Sequence, residues 1–415
     1  MSENGLPLCR SLEDHVPLFR GNPGSCEELP GFLSFVRPSR RTAIETLGRR
    51  PTVRNAQRRQ LASHGNAFPT VPRAILVRMD IKTRNIVTPA ADAPTSQPAS
   101  VPAPVVGRFA PSPSGRMHLG NVFSCLCSWL SARSQGGNIV LRIEDLDAER
   151  CPRVYADLLE QDLAWLGLTW DEGGSTGGAH APYYQSECGD IYTESYRKLE
   201  QRGLVYPCFC SRSQLHAASA PHTSDGNVIY PGTCRGLTPE EIAEKRKKKA
   251  PAYRLMVPDE EITFTDGCMG THTENLLRDC GDFYLRRADG VFAYQLAVVV
   301  DDARMGVTEV VRGADLLSST ARQLYLYRLL GLQPPRFAHC PLLLAADGRR
   351  LSKRDGDQSL ENLRAKYTAP EIIGKLAYAY GLQPEPAPRT PESLVPDFAW
   401  TKVPKQDICL PEGLF

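Results

Sequence analysis

The chain has 415 residues, of which 41% are hydrophobic and 23% charged, with 13 cysteines and a formal net charge of +2. At about 150 residues per domain, this length predicts two or three domains, and the composition excludes a chain that is disordered throughout. No apolar run approaches the roughly 18 residues of a membrane helix, and the start lacks the pattern of a signal peptide. We therefore expect a cytoplasmic protein without a membrane segment, whose cysteines serve as thiols or metal ligands.

Residues 1–104 differ in composition from the rest of the chain. An Arg-rich stretch runs from Arg37 to Arg59, and residues 88–104 consist mainly of Pro, Ala, Ser and Thr, which is typical of an extended linker. Acidic residues near the start argue against an organelle transit peptide. We predict that residues 1–104 are mostly disordered, with Met79 as an alternative start of translation.

From Val105 onward, strands and helices alternate. We predict strands over 105–109 and 138–145, and helices over 119–133, 154–166 and 187–202. The order strand, loop, helix, strand predicts an α/β fold with a doubly wound parallel sheet. Ligands of such folds bind where the loops gather at the carboxyl ends of the strands. We therefore predict the site at the loop after the first strand and at the end of the second strand.

The loop after the first strand carries the groups that a phosphate site needs. It contains Ser112 and Gly115, and His118 and Gly120 follow at the start of a helix. A helix amino terminus presents N–H groups to phosphate, glycine allows close approach, and an imidazole can donate to developing charge. Far along the chain, Lys353 lies in a short polar loop and offers an ammonium group for a triphosphate. Taken singly, the histidine also fits a structural role and the lysine a solvated turn.

Together the two segments resemble the signature motifs of class I aminoacyl-tRNA synthetases. His118-Leu119-Gly120-Asn121 is similar to the HIGH motif, with asparagine at its fourth position, and Leu351-Ser352-Lys353-Arg354 is similar to KMSKS. RFAPSPSGRMHLGN and LRIEDLD resemble the glutamyl and glutaminyl branch in particular. The resemblance covers about residues 106–382 and implies a Rossmann-type catalytic domain that binds ATP with Mg²⁺. The residues that it implies in ATP binding are Ser112, Gly115, His118, Gly120, Asn121 and Lys353, of which His118 and Lys353 are also catalytic.

The chemistry of glutamate predicts the kind of pocket that would hold it. Its two carboxylates need paired guanidinium groups, and its ammonium needs an acid or an aromatic hydroxyl. Arg108 and Arg312 are the candidate cations. Glu144 is the candidate partner of the ammonium, and Tyr294 could donate its hydroxyl. The resemblance points to the same four residues, and a surface ion pair with Arg142 or Arg150 is the alternative for Glu144. The full predicted set for glutamate is Arg108, Phe109, Ala110, Pro111, Ser112, Glu144, Tyr294 and Arg312.

A cysteine cluster lies between the two halves of the predicted catalytic domain. Its three thiolates come from Cys208, Cys210 and Cys234. Three thiolates with a fourth donor would form a closed tetrahedral zinc site. The resemblance implies Tyr230 as the fourth ligand, and His216 and His222 in the intervening stretch are alternatives. Three reduced cysteines without a metal are the other interpretation of the pattern.

The resemblance also predicts the domain organisation. The predicted organisation comprises the extension 1–104, the first half of the catalytic domain at 105–203, a zinc-binding insertion at 204–258, the second half with the KMSKS-like loop at 259–382, and a tail at 383–415. A basic run at 245–249, on a helix predicted over 239–249, is expected to form a solvated face, with contact to tRNA phosphate as the alternative.

Within its branch, the chain looks like the glutamyl-Q tRNA(Asp) synthetases. YQLAVVVDD and VVRGADLLSSTARQ favour this group. About 60 residues follow Arg354, which we expect to be too few for the anticodon-binding region of full-length glutamyl-tRNA synthetases. The resemblance implies that L-glutamate is activated with ATP and transferred to queuosine in the anticodon of tRNA(Asp). A monomer is the simplest expectation. A truncated glutamyl-tRNA synthetase charging tRNA(Glu) and a silent RNA-binding paralogue are the alternatives.

Overall fold

The computed structural model describes residues 104–211, 214, 229–349, 351 and 359–415. The predictions for residues 1–103, for His216 and His222, and for Lys353 lie outside these ranges. The strands in the described ranges are β1 (Val106–Phe109), β2 (Asn138–Leu141), β3 (Glu172–Gly173), β4 (Val205–Cys208), β5 (Ala252–Leu255), β6 (Glu261–Asp266), β7 (Gly270–Asn275), β8 (Phe283–Arg286), β9 (Glu309–Gly313), β10 (Arg336–Cys340), β11 (Leu343–Leu344) and β12 (Ile408–Cys409). The α-helices are α1 (Leu119–Ser134), α2 (Arg153–Trp165), α3 (Gly189–Gln201), α4 (Pro239–Arg246), α5 (Tyr294–Arg304), α6 (Thr320–Leu330), α7 (Leu360–Arg364), α8 (Ala369–Ala379) and α9 (Pro391–Leu394).

Five strands form a parallel layer at the centre of the molecule. β1 pairs in parallel with β2, β2 with β3, and β9 with β10. The backbone N–H of Thr308, just before β9, donates to the carbonyl of Val106 in β1 (2.9 Å), so β9 lies beside β1. The spatial order β3-β2-β1-β9-β10 therefore reverses at β1, and ligands of such sheets bind in the crevice at the reversal.

Helices cover both faces of this layer. In β2, Ile139 and Leu141 face a hydrophobic core that includes α1, α2 and α8. Between them, Val140 faces a second core that includes α3, α5 and α6. Since successive side chains of a strand point to opposite faces, the layer lies between two helical layers. The structure therefore has the α/β, Rossmann-like architecture that the sequence predicts.

An antiparallel sheet follows the first half of the parallel layer in the chain. β4 pairs with β5, and β5 pairs with β8. The sheet thus includes residues beyond 258, where we predicted the end of the insertion, because its third strand is Phe283–Arg286. β6 and β7 form a separate hairpin. Residues 383–415, which we predicted as a tail, instead contribute Leu394 and Val403 to the main core, and β12 pairs with β11.

Two predicted elements extend three or more residues beyond the observed ends. β2 ends at Leu141 rather than at residue 145, because the chain turns to a new partner and Ile143 bridges to Tyr184. α4 ends at Arg246, so the prediction that the whole basic run lies on a helix is wrong. Lys249 instead donates to the carbonyl oxygens of residues 209 (3.3 Å) and 210 (3.4 Å). Among the helices described, none is both long and apolar enough to cross a bilayer.

Two glycines in different helices, Gly374 and Gly189, offer a test of how tightly each position is packed. A Cβ at Gly374 in α8 would lie 1.9 Å from the carbonyl oxygen of Ala387, whereas a Cβ at Gly189 in α3 would meet nothing within 4 Å. We expect Gly374→Ala to lower the free energy of unfolding by about 2 kcal/mol through overpacking. Gly189→Ala should leave it unchanged or raise it by up to about 1 kcal/mol. Denaturant titration of both variants beside the wild type measures the difference, and equal stabilities would contradict the described packing.

Candidate active site

A cavity of about 610 Å³ opens where the strand order reverses. Its walls come from the end of β1, the loop that leads into α1, the residues after β2, the start of α5 and the end of β9. Among the residues described, all those predicted to contact ATP or glutamate line it: Arg108, Phe109, Ala110, Pro111, Ser112, Gly115, His118, Gly120, Asn121, Glu144, Tyr294 and Arg312. Its volume lies within the range of about 300–1,000 Å³ that is usual for small-molecule sites.

His118 lies at the N-cap position of α1 and lines the cavity. Its backbone N–H donates to Oδ1 of Asn121 (3.3 Å), so asparagine at the fourth motif position supports the helix start. A Cβ on Gly120 would lie 3.1 Å from Cε1 of the imidazole, which shows that the ring passes close over this glycine. The imidazole and the N–H groups of the first helical turn therefore meet at one point of the cavity, as a phosphate site requires.

The chain on either side of the KMSKS-like segment comes close to this helix start. Lys353 itself lies outside the described residues. Leu351 lines the cavity, and Ser359 forms an antiparallel bridge with His118. The next residue, Leu360, donates its N–H to the carbonyl of Met117 (2.9 Å). The residues just after the KMSKS-like segment are thus in contact with the start of the HIGH-like segment, although more than two hundred residues separate the two segments in sequence.

Arg312 at the end of β9 is held in place by polar groups from three other elements. Its side chain is buried, and it lines the cavity. Its nitrogens donate to Nε2 of His339 (2.9 Å), Oε1 of Gln323 (2.9 Å), Oγ1 of Thr320 (3.0 Å) and the hydroxyl of Tyr294 (3.4 Å). Sequence reasoning identified the arginine and the tyrosine but missed the other three partners. They lie on α6 and β10. Thr320 and Gln323 belong to VVRGADLLSSTARQ, which gave no hint of their contact with Arg312, and no quoted motif includes His339.

A buried ion network lies behind Glu144. Arg142 is fully buried and donates to Oε1 of Glu144 (3.0 Å) and Oδ1 of Asp302 (2.6 Å). Asp302 also lies 3.8 Å from Nε of Arg108. Burial raises the pKa of Glu144 above its ordinary value, and the Arg142 guanidinium opposes this rise. The ion pair that we considered as an alternative role for Glu144 does form, but it lies in the wall of the cavity rather than on the surface.

A second cavity, of about 830 Å³, adjoins the first. The two cavities share Ser112, Glu144 and Tyr294 in their walls. From these residues the second cavity extends to Cys208 and Cys210 of the cysteine cluster. A molecule in the second cavity would therefore contact some of the residues that are predicted to bind glutamate.

The cysteine cluster has the geometry of a closed metal site. The sulfur atoms of Cys208, Cys210 and Cys234 lie within 4.8 Å of one another. The hydroxyl of Tyr230 lies 3.5 Å from Sγ of Cys208 and 3.8 Å from Sγ of Cys210. A tetrahedral zinc with Zn–S bonds of about 2.3 Å would separate its sulfur ligands by about 3.8 Å. These four side chains therefore fit a tetrahedral site, with the tyrosine oxygen at the fourth corner.

The doubly wound sheet, with His118 at the N-cap of α1 and a cavity where the strand order reverses, agrees with the class I tRNA synthetase architecture that the motifs imply. Residues 104–388 match the family described as tRNA synthetases class I (E and Q), catalytic domain, and the chain belongs to this family.

Two curated relatives match the chain over nearly their whole length. The protein named "Glutamyl-Q tRNA(Asp) synthetase" in Symbiobacterium thermophilum is 52% identical over 310 residues, which are 74% of this chain and 95% of that protein. The protein of the same name in Nitratidesulfovibrio vulgaris is 49% identical, over 74% of this chain and 96% of its own length.

Proteins named as glutamate--tRNA ligases match over a smaller share of their length. "Glutamate--tRNA ligase 1" of Halorhodospira halophila is 47% identical over 64% of this chain, but only 56% of that protein is matched. The crystal structure of a glutamate tRNA ligase from Elizabethkingia meningosepticum in complex with its amino acid has a TM-score of 0.64 and 29% identity to this chain. That match covers 75% of this chain and 68% of the ligase.

Removal of the Arg142 guanidinium tests how far the site depends on its buried charges. Arg142→Met would leave Glu144 and Asp302 buried beside one cation fewer, so we expect the free energy of unfolding to fall by about 3–5 kcal/mol. Arg278→Met is the matched control, because its ion pair with Glu261 is about two-thirds exposed on both sides. Exposed pairs contribute about 0–1 kcal/mol. Chemical denaturation measures both variants, and a loss of similar size in both would contradict this account.

Proposed function

We propose that this protein activates L-glutamate with ATP and transfers the glutamyl group to queuosine in the anticodon of tRNA(Asp). The observation that carries the proposal is that one cavity is lined both by a helix start suited to phosphate and by the side chains suited to glutamate. Two relatives named for this activity, each about half identical and matched over nearly their whole length, support the choice of acceptor.

In the first step, an oxygen of the glutamate α-carboxylate attacks the α-phosphorus of ATP, which gives glutamyl-adenylate and pyrophosphate. Arg108 and Arg312 hold the carboxylates, and Glu144 with Tyr294 receives the ammonium. His118 and the N–H groups at the start of α1 stabilise the negative charge that grows on the phosphates. Mg²⁺ enters with ATP as part of that substrate, and the motif resemblance supports a similar charge-stabilising role for Lys353.

In the second step, a hydroxyl of the queuosine cyclopentenediol attacks the activated carbonyl carbon. An ester forms, and AMP leaves. The second cavity supports this step, because it meets the first at Ser112, Glu144 and Tyr294, where the activated carbonyl would lie. RNA loops can present an unstacked base to a cavity of this kind.

The cysteine cluster would hold a structural Zn²⁺ through Cys208, Cys210, Tyr230 and Cys234. The ion would link the end of β4 to the segment before α4 and take no part in either step of the reaction. Every cysteine of the described part of the chain is a free thiol. This agrees with the reducing, cytoplasmic location that we propose for the enzyme.

The decisive experiment compares acceptors. Purified protein receives radiolabelled glutamate, ATP and either tRNA(Asp) with queuosine, tRNA(Asp) without it, or tRNA(Glu). We expect label only on the queuosine-containing tRNA(Asp). Label on tRNA(Glu) alone would instead identify a truncated glutamyl-tRNA synthetase. The absence of glutamate-dependent pyrophosphate exchange would identify a silent paralogue.

Replacement of His118 tests its role in the first step. His118→Ala should lower the rate of glutamate-dependent pyrophosphate exchange about 10²- to 10³-fold, because it removes a donor to the developing charge. Lys353→Met should act in the same direction. His180→Ala is the control, since this histidine bonds Glu172 (2.7 Å) and does not line the cavity. If exchange by His118→Ala matched that of the control, the proposed role of His118 would be wrong.

Metal analysis tests the cysteine cluster. We expect one zinc per wild-type chain, and Cys210→Ser and Tyr230→Phe should lose it to a competing chelator far more readily because each lacks one of four ligands. Cys409→Ser is the control, as Cys409 is an exposed thiol in β12. A wild-type protein purified without zinc would contradict the site, and retention by Tyr230→Phe would exclude tyrosine as a ligand.

A further inference from the structure

We infer that His339, held by Asp266, is a positioning residue that aims the Arg312 guanidinium at a carboxylate of glutamate. The inference rests on the proposed function, since it concerns the residue that would bind the amino acid. Neither His339 nor Asp266 lines the cavity. Both act on the substrate only through Arg312.

The three side chains form a continuous line from the outer hairpin to the cavity. His339 in β10 lies directly opposite Arg312 in β9 in the parallel register. Nε of Arg312 donates to Nε2 of His339 (2.9 Å), and Nδ1 of His339 lies 2.6 Å from Oδ2 of Asp266. Asp266 ends β6, the first strand of the hairpin. The imidazole is fully buried, and Asp266 and Arg312 are nearly so.

The direction of the hydrogen bonds fixes the tautomer of His339. A guanidinium can only donate, so Nε2 of the imidazole must carry a lone pair and Nδ1 must carry the proton. Nδ1–H then donates to the carboxylate of Asp266. Burial lowers the pKa of His339 to about 4, against the effect of Asp266 and together with that of Arg312. The imidazole is therefore neutral at neutral pH, as an acceptor from arginine must be.

Asp266 is itself fixed by the backbone around it. Its Oδ1 accepts the N–H groups of His339 (3.0 Å), Cys268 (3.0 Å) and Met269 (2.8 Å). Burial would raise the pKa of this carboxyl, but the hydrogen bond from His339 and the backbone N–H groups bring it below its ordinary value. The carboxylate thus remains ionised and cannot turn away from the imidazole. In this way it holds the ring, and the ring holds Nε of Arg312.

This support matters because Arg312 lines the cavity, while its terminal nitrogens also donate to Gln323, Thr320 and Tyr294. The guanidinium is planar, so a fixed Nε sets the direction of both terminal nitrogens. Recognition of a carboxylate by two parallel N–H groups depends on that direction. A side chain that supplied only bulk at position 339 would fill the space but would remove the acceptor that holds Nε of Arg312.

Two substitutions at position 339 separate the acceptor role from packing. Glutamine can place Oε1 near the position of Nε2, whereas asparagine is shorter and keeps only the contact with Asp266. We expect His339→Asn to raise the glutamate KM of pyrophosphate exchange about tenfold, the cost of one hydrogen bond to a charged group. Its KM for ATP should change less than about twofold, because Arg312 is assigned to glutamate rather than to ATP. His339→Gln should keep the glutamate KM within about threefold of the wild type.

Further arms keep the test decisive if either variant fails to fold. Asp266→Asn preserves side-chain volume but removes the charge that fixes the tautomer, so it should raise the glutamate KM without changing the KM for ATP. His272→Gln, a histidine in β7 of the same hairpin, is the control and should match the wild type. Thermal unfolding of each variant reports whether the fold is retained.

Several results would overturn the inference while leaving the proposed function intact. One is an equal glutamate KM in His339→Asn and His339→Gln, whether at the wild-type value or raised together. Another is a wild-type glutamate KM in Asp266→Asn, and a third is a parallel rise of both KM values. A wild-type protein without glutamate-dependent exchange would overturn the proposed function itself, and this inference with it.

Discussion

The whole site depends on β1 and β9 lying next to each other at the centre of the sheet. The two strands are about two hundred residues apart in sequence, and the antiparallel sheet and the hairpin lie between them in the chain. Nη1 of Arg108 donates to the carbonyl of Val311 (2.6 Å), which ties the end of one strand to the other. α1 packs against both strands. This contact brings the helix start and Arg312 to the same crevice.

The same arrangement concentrates charge in the interior, which would be costly without close partners. Arg108, Arg142 and Arg312 are all buried within the wall of the site or directly behind it. A buried charge is tolerated only where counter-charges or hydrogen bonds compensate for lost hydration. Asp302 serves the first two arginines. Arg312 is supported differently, by neutral acceptors and a neutral imidazole, which agrees with the carboxylate partner that we propose for it.

The sequence indicated the residues that line the cavity better than it indicated the buried residues that hold those side chains in place. The strand, loop and helix order placed His118 at the helix start after the first strand and Glu144 at the end of the second strand, and the structure groups both around one cavity. Those positions follow from local patterns and from the rule that ligands bind at the carboxyl ends of parallel strands. His339 lies in no quoted motif, and YQLAVVVDD contains Asp302 without indicating its role, because the importance of both comes from strand register and helix packing between distant segments. The end of β2 was predicted four residues too late for a similar reason, since Ile143 pairs with the distant residue Tyr184 instead of continuing the strand.

The antiparallel sheet connects the cysteine cluster to the second cavity, and none of its strands lines the first cavity. Cys208 ends β4, Ala252 begins β5 and Tyr284 lies in β8, and all three line the second cavity. Arg254 in β5 lies over the ring of Tyr230 (3.8 Å) and donates to Sγ of Cys208 (3.4 Å), so the cluster and the strands are one packed unit. A metal that fixed the cluster would therefore also fix the wall against which an acceptor nucleoside would lie. The zinc that we propose would therefore act on the second step only by holding this wall in place, and it would touch neither substrate.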